Sequence, residues 1–383
     1  MNILFVDKSK IFAGAEYSLS SLTTRLIGMG YNTLICADFP LEHHVRFFEH
    51  DCKIIYRNKS IKWWMGSDYS LRAPRGSDLI KRIIFSVKLF LIIKCNKIAI
   101  CHFNLLRDTD RLDIFSARLA GCKVVGHVRA LQCQARLHRS TIKLCNSIIC
   151  TSDYVLSEIV PLSGRYKSRR IYDPIEMLPY SIDGINIMGI KSKFGIEGTK
   201  IVLSSVAILD PRKGHDVAIR ALKGIVVNDE NVILVIAGGS PGSNIEKIRL
   251  QSIINSLHLE DKVVFTGHIN NINEIYAMSD IILALSKDGE AFGRVPLEAA
   301  SAKRVVIATK MGATPEIVID GETGILVEPD NHYQVANKII ELLKSKDSIL
   351  SISEKAHKHV LTKFSSEIHA CEVSEVYGSL KGI

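Results

Sequence analysis

Sequence patterns that would mark a metal centre or a nucleoside triphosphate site are missing from this chain of 383 residues. None of the nine cysteines forms a CxxC pair, which argues against the common zinc spacings and predicts free thiols in a reducing cytoplasm. HExxH and GxxxxGKS/T are also absent, so neither a metalloprotease zinc site nor a P-loop is expected. The sequence contains no low-complexity tract and no short-period repeat.

Long apolar segments are scarce as well. The first residues, MNILFVD, are typical of a buried strand and include no basic region followed by an apolar one, which predicts that there is no signal peptide. The nearly apolar run Ile83–Ile93 is too short to cross a bilayer, which takes about 20 residues. We expect a core helix there. The alternative is a helix lying on an anionic lipid surface, with Trp63 and Trp64 as interfacial anchors rather than ordinary loop aromatics.

Positive charge is unevenly distributed along the chain. The net charge is +9, and residues 1–180 hold 27 Lys and Arg against 15 Asp and Glu, whereas the remainder holds 22 against 25. A basic first half indicates an anionic partner, which would be membrane headgroups, a lipid-diphosphate acceptor or nucleic acid; the alternative is an inert basic surface. We expect the membrane surface or the lipid-linked acceptor, and no nucleic-acid partner.

Apolar runs rich in β-branched residues alternate with helical segments along the whole chain. At this length the pattern predicts an α/β protein of two domains, each a doubly wound Rossmann-like sheet. The turn-rich stretch Tyr172–Phe194 predicts the boundary, with residues 1–174 as the first domain and 175–365 as the second. The predicted strands are Ile3–Val6, Thr33–Cys36, Ile98–His102, Lys123–Val128, Ser147–Cys150, Ile201–Val206, Val232–Ala237, Val263–Thr266, Ile281–Leu285, Val305–Ala308 and Gly324–Val327.

The segment EAFGRVPLE places Glu290 and Glu298 eight positions apart around a Phe-Gly turn. Because Pro296 suits the first turn of a helix, we expect a strand ending near Ser286 and a helix that begins near Val295, with Glu298 in its first turn. A helix N-terminus attracts phosphate, and carboxylates accept hydrogen bonds from sugar hydroxyls. The combination predicts a nucleotide-sugar site, the alternatives being a first-turn acid favoured by the helix dipole and a solvated loop acid.

This segment resembles the E-x7-E motif of the retaining family-4 glycosyltransferases of GT-B fold, the group 1 glycosyl transferases. The resemblance is strong over residues 200–330 and weaker over residues 1–180, where AGAE at 13–16 matches. It implies two domains facing each other across a cleft, with residues 366–383 as a last helix that packs back on the first domain. The other matching motifs are PRKG at 211–214, IAGG at 236–239, FTG at 265–267, VVIA at 305–308, MGA at 311–313, PEI at 315–317 and DGETGILV at 320–327.

The resemblance implies a donor site in the second domain. Glu298 would accept hydrogen bonds from the ribose hydroxyls and Glu290 would contact the sugar, while Arg212 and Lys213 would hold the diphosphate and stabilise its developing charge. The family usually has an arginine five residues before this lysine, where the chain has Ile208, and we expect Arg212 to take over its role. An exposed loop pair of cations is the alternative. No cofactor and no metal ion are expected. Further donor contacts are expected from Gly14, Phe292, Gly293, Arg294, Val295, Gly267, His268 and Ile269.

The acceptor is expected to bind the first domain. His127, at a strand end, resembles the family histidine that lies near the transferred sugar and counts as a catalytic candidate; the alternative is a structural histidine. Arg129, His102 and Asn104 are expected acceptor contacts. The pair in Asp108-Thr-Asp110 forms a DxD motif, but it lies in the wrong domain for a donor metal and is expected to be a solvated loop.

The sequence therefore predicts a retaining glycosyltransferase that moves a sugar from a nucleotide-diphosphate sugar to a glycan or lipid-linked acceptor hydroxyl. A role in bacterial lipopolysaccharide, capsule or exopolysaccharide biosynthesis is expected, in the cytoplasm or peripherally on the inner face of its membrane. One alternative is a nucleotide-sugar epimerase of the same fold, which would need acid–base groups on both faces of the sugar. The other is a non-catalytic nucleotide-sugar-binding protein, which the departure at Ile208 favours.

Overall fold

The computed structural model describes residues 1–8, 14–37, 52–56, 76–131, 137–164, 167–175, 186–227, 229–240 and 242–381. The chain forms two compact units: Met1–Pro174 together with Ser366–Ile383, and Ile175–Ser365. Each unit is built on its own parallel sheet. Trp63 and Trp64, and residues 176–185 of the predicted boundary, lie outside the described residues.

The first unit contains a seven-stranded sheet in the order β3-β2-β1-β4-β5-β6-β7, and its strands pair in parallel. The chain builds one half of the sheet outward from β1 and then returns to build the other half from β4, as in doubly wound folds. The strands are β1 Asn2–Asp7, β2 Asn32–Ala37, β3 Lys53–Tyr56, β4 Ile100–Phe103, β5 Lys123–Val128, β6 Ser147–Cys150 and β7 Ser168–Arg170.

Helices cover this sheet because each one presents an apolar stripe to the buried strands. The last helix belongs to the first unit, where Val373 and Tyr377 share one buried core cluster with Leu19 and Leu22 of the first helix and with Phe5 of β1. The helices are α1 Gly14–Gly28, α2 Gly76–Cys95, α3 Arg111–Leu119, α4 Arg139–Leu144, α5 Asp153–Ser163 and α14 Ser366–Lys381.

The second unit contains a six-stranded parallel sheet in the order β10-β9-β8-β11-β12-β13. Its strands are β8 Ile201–Val206, β9 Val232–Ala237, β10 Val263–Gly267, β11 Ile281–Ala284, β12 Val305–Thr309 and β13 Ile325–Val327. Strand order reverses between β8 and β11. At such a switch point the following loops diverge and leave a crevice at the carboxyl ends of the strands.

The helices of the second unit flank this sheet, and side chains such as Leu203, Leu222 and Ile339 form a buried hydrophobic cluster. The helices are α6 Ile187–Lys193, α7 His215–Val226, α8 Ile245–Leu257, α9 Asn273–Met278, α10 Arg294–Ser301, α11 Thr314–Ile317, α12 His332–Leu343 and α13 Lys346–Lys363. Continuous β-branched strands account for this arrangement, because a parallel sheet buries both of its faces.

The run Ile83–Ile93 forms most of α2, which is longer than the run itself. Phe85, Leu89 and Ile93 are buried, so one face of α2 packs in the core as expected. The opposite face is apolar and exposed. Within the described residues, no helix has the length and apolar character needed to span a bilayer. No disulfide joins the eight described cysteines, in agreement with the prediction from the sequence.

Candidate active site

The candidate site lies at the carboxyl edge of the second sheet, around the switch point between β8 and β11. The loop after β8 carries Lys213, and the loop after β11 carries Glu290. Although 77 positions separate them in sequence, Lys213 Nζ lies 2.8 Å from Glu290 Oε1. The topology of the sheet therefore brings together two predicted catalytic residues.

A tight turn after β8 fixes Lys213. Asp210 caps a short 3-10 helix, Pro211–Lys213, by accepting a hydrogen bond from the Arg212 backbone N–H at 2.9 Å. Gly214 ends this turn with φ +70°, and a Cβ there would lie 1.9 Å from the carbonyl oxygen of Leu285, so only glycine fits. The turn is thereby held directly against the loop that follows β11.

Glu290 is ionised in this setting. Its Oε1 accepts hydrogen bonds from Lys213 and from the Ser286 hydroxyl. Burial alone would raise the pKa of Glu290, but the charge and hydrogen bond of Lys213, with help from Ser286, lower the pKa below its usual value. Both side chains of the pair remain about 30% exposed (29% for Lys213 and 30% for Glu290), so the pair is accessible from solvent.

The backbone of Glu290 is held by the loop after β12. The Glu290 carbonyl accepts a hydrogen bond from Ala313 N–H at 3.0 Å. Gly312 has φ +58°, and a Cβ on it would lie 2.5 Å from both the backbone N and O of Glu290. The MGA motif therefore allows a backbone approach that a side chain would prevent.

Glu298 is held by both of its carboxylate oxygens. Tyr276, which is fully buried in α9, donates its hydroxyl to Oε2 at 2.6 Å, and Arg294 Nε donates to Oε1 at 3.2 Å. Burial and the adjacent Glu298 raise the pKa of Tyr276 well above its usual value. The expectation that Glu298 lies in the first helical turn is wrong, because α10 begins at Arg294 and Glu298 is its fifth residue. A simple dipole-favoured acid in the first turn does not explain this position.

The start of α10 contains four predicted donor contacts. Gly293 caps the helix in the left-handed region at φ +80°, without a side-chain hydrogen bond, and Arg294 and Val295 follow in the first turn. Phe292 is buried, with its ring centroid 6.0 Å from that of Phe364. Its side chain is thus part of the core, and it is the backbone here that can approach a ligand.

Arg212 is not arranged as a preformed diphosphate clamp. Its guanidinium binds both oxygens of Asp210, at 3.0 and 2.7 Å, and its side chain is 54% exposed. The hydrogen bond from Arg212 lowers the pKa of Asp210 to about 2. The Ile208 side chain is exposed at the same edge, while its carbonyl lies 3.1 Å from His215 Nε2. That Arg212 replaces the missing arginine stays a prediction.

The loops after β9 and β10 adjoin each other on the other side of β8. Gly238 N–H donates to the Gly267 carbonyl at 3.0 Å, and Gly239 lies beside His268. Gly267 adopts φ +68°, and His268 is exposed, with Ile269 next to it. These predicted base and ribose contacts thus share the carboxyl edge with Lys213 and Glu290.

In the first unit, the predicted acceptor residues form a buried polar network. Arg129 Nε donates to the Asn104 carbonyl at 2.9 Å, its Nη1 pairs with Asp173, and its Nη2 lies 3.2 Å from His127 Nδ1. His102 Nδ1 lies 2.6 Å from the Tyr377 hydroxyl. All of these side chains are buried in this structure, and their contact with an acceptor stays a prediction.

A third histidine completes this network, and sequence reasoning missed it. His369 of α14 stacks on His127 with ring centroids 6.3 Å apart and lies 2.7 Å through Nδ1 from the Tyr172 carbonyl. Desolvation and the cationic Arg129 lower the pKa values of His127 and His102 well below the usual value. Burial likewise lowers the pKa of His369 to about 4. At neutral pH all three rings are uncharged.

Gly14 and the DxD motif belong to the first unit. Gly14 is the first residue of α1, and its carbonyl accepts a hydrogen bond from the Ser18 hydroxyl. The DxD motif is not a solvated loop: Asp110 is buried and bound to Lys8 at 2.6 Å, and Asp108 pairs with Arg111 at 3.0 Å. Both carboxylates are neutralised by cations of their own domain.

Comparison with solved structures identifies the fold. The chain superposes on Anabaena Alr3699/HepE in complex with UDP and glucose with a TM-score of 0.82 at 19% identity, covering 99% of this chain and 100% of that one. It superposes on WaaG, a glycosyltransferase involved in lipopolysaccharide biosynthesis, with a TM-score of 0.69 at 14% identity, covering 99% and 100%. At these identities the similarity establishes the fold alone. The predicted fold class, the doubly wound GT-B fold of glycosyltransferases, is confirmed.

Sequence comparison identifies a family that part of the chain resembles. Residues 188–359 match the family described as Glycosyl transferases group 1. A match of 30% identity over 188 residues links the chain to N-acetyl-alpha-D-glucosaminyl L-malate synthase of Bacillus anthracis, covering 49% of this chain and 48% of that protein. Spore coat protein SA of Bacillus subtilis is 26% identical over 245 residues, covering 60% and 64%.

Residues 188–359 are therefore similar to the group 1 glycosyl transferases, which confirms the resemblance seen in the sequence motifs. The chain spans about half the length of most curated relatives it matches, 45–48% in three of them. The matched family segment contains Glu290, Glu298 and Lys213.

Proposed function

We propose that the chain is a retaining glycosyltransferase that moves a sugar from a nucleotide-diphosphate sugar to an acceptor hydroxyl, without a metal ion. The observation that carries this proposal is the ion pair of Lys213 and Glu290 at the switch point, 2.8 Å long and accessible from solvent. It provides one cation for a phosphate and one ionised carboxylate for sugar hydroxyls, next to the start of α10.

Each predicted donor residue has a chemical role in this proposal. Lys213 would stabilise the negative charge that develops on the diphosphate as it departs. Glu290 would accept hydrogen bonds from the sugar, and its lowered pKa keeps it an acceptor at neutral pH. Glu298 would accept hydrogen bonds from the ribose hydroxyls, since its two oxygens are oriented by Tyr276 and Arg294.

The proposed chemistry takes place on one face of the sugar. The bond from the anomeric carbon to the diphosphate oxygen breaks, and the acceptor oxygen forms its bond on the same face. The departing diphosphate takes the proton of the acceptor hydroxyl, and Lys213 stabilises this leaving group. Anomeric configuration is retained, and no covalent sugar–enzyme intermediate is required.

We also propose an acceptor class and a cellular location for the protein. We expect a glycan or lipid-linked acceptor in bacterial polysaccharide biosynthesis, at the inner face of the cytoplasmic membrane. The support is the excess of positive charge in residues 1–180 and a relative whose name refers to lipopolysaccharide core biosynthesis. The lipopolysaccharide core biosynthesis mannosyltransferase LpcC of Rhizobium leguminosarum bv. viciae is 27% identical over 172 residues, covering 45% of this chain.

A non-catalytic nucleotide-sugar-binding protein is the second candidate. Two observations favour it: Ile208 stands in place of the usual arginine, and Arg212 is engaged by Asp210. Such a protein would bind the nucleotide diphosphate as the enzyme does, but no acceptor would lead to release of the nucleotide.

Nucleotide-dependent thermal stability tests the donor site. UDP, GDP, ADP, CMP and NAD would be compared with and without EDTA, since a ligand at one hundred times its Kd adds about 2.7 kcal/mol to the folded state. We expect one nucleoside diphosphate to raise Tm equally with and without EDTA, in the wild type and in Lys338→Ala. Lys338→Ala removes a lysine of α12 that is ion-paired with Glu341 and lies 48 positions after Glu290 in sequence.

Lys213→Ala should lose most of this shift. A shift abolished by EDTA would contradict metal independence, and a shift seen with NAD alone would contradict the sugar-nucleotide site. Nucleotide binding combined with no sugar transfer to a panel of glycan and lipid-linked acceptors would support the non-catalytic candidate. NMR of the product anomer would decide between retention and inversion.

A further inference from the structure

The outer face of α2 is apolar. Ile80, Ile84, Val87 and Leu91 follow the spacing i, i+4, i+7 and i+11, which aligns them along one side of a helix. Together with Ile83 these side chains are 43–61% exposed. The opposite side of α2 packs in the core, so the helix is apolar on both sides and only one side is covered.

The neighbouring helix α3 adds to this surface. Leu112, Phe115 and Leu119 lie at i, i+3 and i+7 and are 37–62% exposed. The two helices are joined by the hydrogen bond from Ser86 Oγ to Asp113 Oδ1 at 2.6 Å. We call the α2–α3 face the set of eight exposed side chains Ile80, Ile83, Ile84, Val87, Leu91, Leu112, Phe115 and Leu119.

This concentration of apolar side chains is unusual for the chain. Of the twenty large hydrophobic side chains that are exposed within the described residues, nine lie on α2 and α3. Single exposed apolar residues need no explanation, but a continuous exposed patch marks a surface that binds something. Neither helix is long and apolar enough to span a bilayer, so a partner of these exposed side chains would bind them at the protein surface.

Charge on the same two helices identifies the partner. Six lysines and arginines stand against two aspartates. Arg111 is paired with Asp108, and Asp113 is buried and paired with Lys8, so the positive excess remains after both pairs are discounted. Lys81 and Lys88 are seven positions apart and therefore lie on one flank of the apolar stripe, and Lys94 lies at its end. An apolar stripe flanked by cations is the pattern of a helix that lies in the interface of an anionic membrane.

We infer that the α2–α3 face docks on the surface of an anionic lipid bilayer. The apolar side chains enter the boundary between headgroups and acyl chains, while the flanking lysines pair with anionic headgroups. A second copy of the chain or a protein helix would cover the apolar side chains, but it would not require the flanking cations. The α2–α3 face would account for the proposed peripheral location. Membrane binding by this face can be measured without donor or acceptor, so it is tested separately from sugar transfer.

Vesicle co-sedimentation of the full chain tests this inference. Vesicles of phosphatidylcholine alone would be compared with vesicles that also contain phosphatidylglycerol, at low and high salt. We expect binding to the anionic vesicles at least about tenfold stronger, and weaker at high salt, because each lysine near the surface contributes about fivefold.

The apolar contribution is tested with a double substitution. Ile80→Glu combined with Leu91→Glu should lower binding to anionic vesicles at least about tenfold. Ile245→Glu combined with Ile248→Glu is the matched control, because these two isoleucines are 75% and 68% exposed on α8 of the other unit. The control should bind like the wild type. A wild-type Tm in nucleotide-bound and nucleotide-free samples excludes unfolding as the cause.

The charge contribution is tested with Lys81→Gln combined with Lys88→Gln, which should weaken anionic binding and leave the weak binding to neutral vesicles unchanged. Equal binding to neutral and anionic vesicles would overturn the inference. So would a wild-type chain that binds neither vesicle. A wild-type dimer that Ile80→Glu and Leu91→Glu dissociate in light scattering would assign the face to a second copy instead.

Discussion

The hydroxyl of Tyr276 donates a 2.6 Å hydrogen bond to Oε2 of Glu298 from a position with no solvent exposure. A buried phenol that donates to a carboxylate orients the carboxylate, and its oxygens then point where a ligand hydroxyl can reach them. Tyr276 is therefore a positioning residue for the proposed ribose contact.

Tyr276→Phe should weaken donor binding with little effect on the chemical step. A hydrogen bond to a charged group contributes about 1.5–3 kcal/mol, so the KM for the donor should rise roughly tenfold while kcat stays within about twofold. Steady-state kinetics separate the two parameters. Tyr333→Phe, on an exposed tyrosine of α12, should leave both unchanged. An equal fall in kcat and kcat/KM for Tyr276→Phe would contradict the positioning role.

Arg212 and Ile208 allow a test of how the diphosphate is held. Because Arg212 is paired with Asp210 in the free structure, Arg212→Ala should lower kcat/KM by roughly tenfold, less than the roughly 100- to 1000-fold expected for removing a preorganised charge such as Lys213. If Arg212 takes over the missing cation, adding Ile208→Arg to Arg212→Ala should restore most of the activity. Full activity of Arg212→Ala alone would show that Lys213 suffices.

Gly312→Ala should displace Glu290. A Cβ at this position would lie 2.5 Å from the backbone N and O of Glu290, in a residue with φ +58°. Such strain costs about 1–3 kcal/mol, so we expect a lower Tm together with a fall in kcat. Gly378→Ala is the matched control, since its Cβ would meet nothing within 4 Å in a helix and alanine favours helix by about 1 kcal/mol. Similar effects of the two substitutions would contradict a specific role for the MGA loop.

The buried histidines predict loss of stability in mild acid. Their folded pKa values lie below the usual value, at about 4 for His369, so the unfolded chain binds more protons below about pH 6.5. Stability is therefore fully present above this pH and falls as the pH is lowered towards 4, by up to about 1.4 kcal/mol per pH unit for each histidine. Urea unfolding of the wild type at pH 7.5 and 5.5 measures this loss.

His369→Asn should reduce the difference between the two pH values. His258→Asn is the matched control, because His258 is exposed and has φ +53°, a conformation that asparagine tolerates. The control should show the wild-type difference. A His369→Asn variant that loses as much stability as the wild type between pH 7.5 and 5.5 would rule out this histidine as the source.

The sequence predicts those strands that are buried on both faces of a sheet. All eleven predicted strands are present, because continuous apolar runs leave few alternatives in a parallel sheet. Among the described residues, two further strands, β3 and β7, have no counterpart in the prediction, and both lie at the edges of the first sheet. The sequence of β7, Ser-Arg-Arg, contains no apolar residue. An edge strand can be short and polar, and its sequence then resembles a loop.

Residues of the candidate site can be predicted from the sequence where they belong to a recognisable motif. They cannot be predicted where residues that are distant in sequence come together only in the folded structure. Glu290, Glu298 and Lys213 lie in recognisable motifs, and the structure brings Lys213 to Glu290. Tyr276 lies 22 positions before Glu298, and an aromatic residue in an apolar helix resembles any core residue. His369 is still further from His127 in sequence, so no local pattern reveals their stacking.

The helix α14 gives the first unit a core made from both ends of the chain. Val373 and Tyr377 complete a cluster begun by Phe5 and Leu22, whereas the second unit is continuous from Ile175 to Ser365. During synthesis the second unit can therefore complete its fold before α14 is available to the first unit. Truncation before α14 would destabilise the first unit, although most of that unit is translated first.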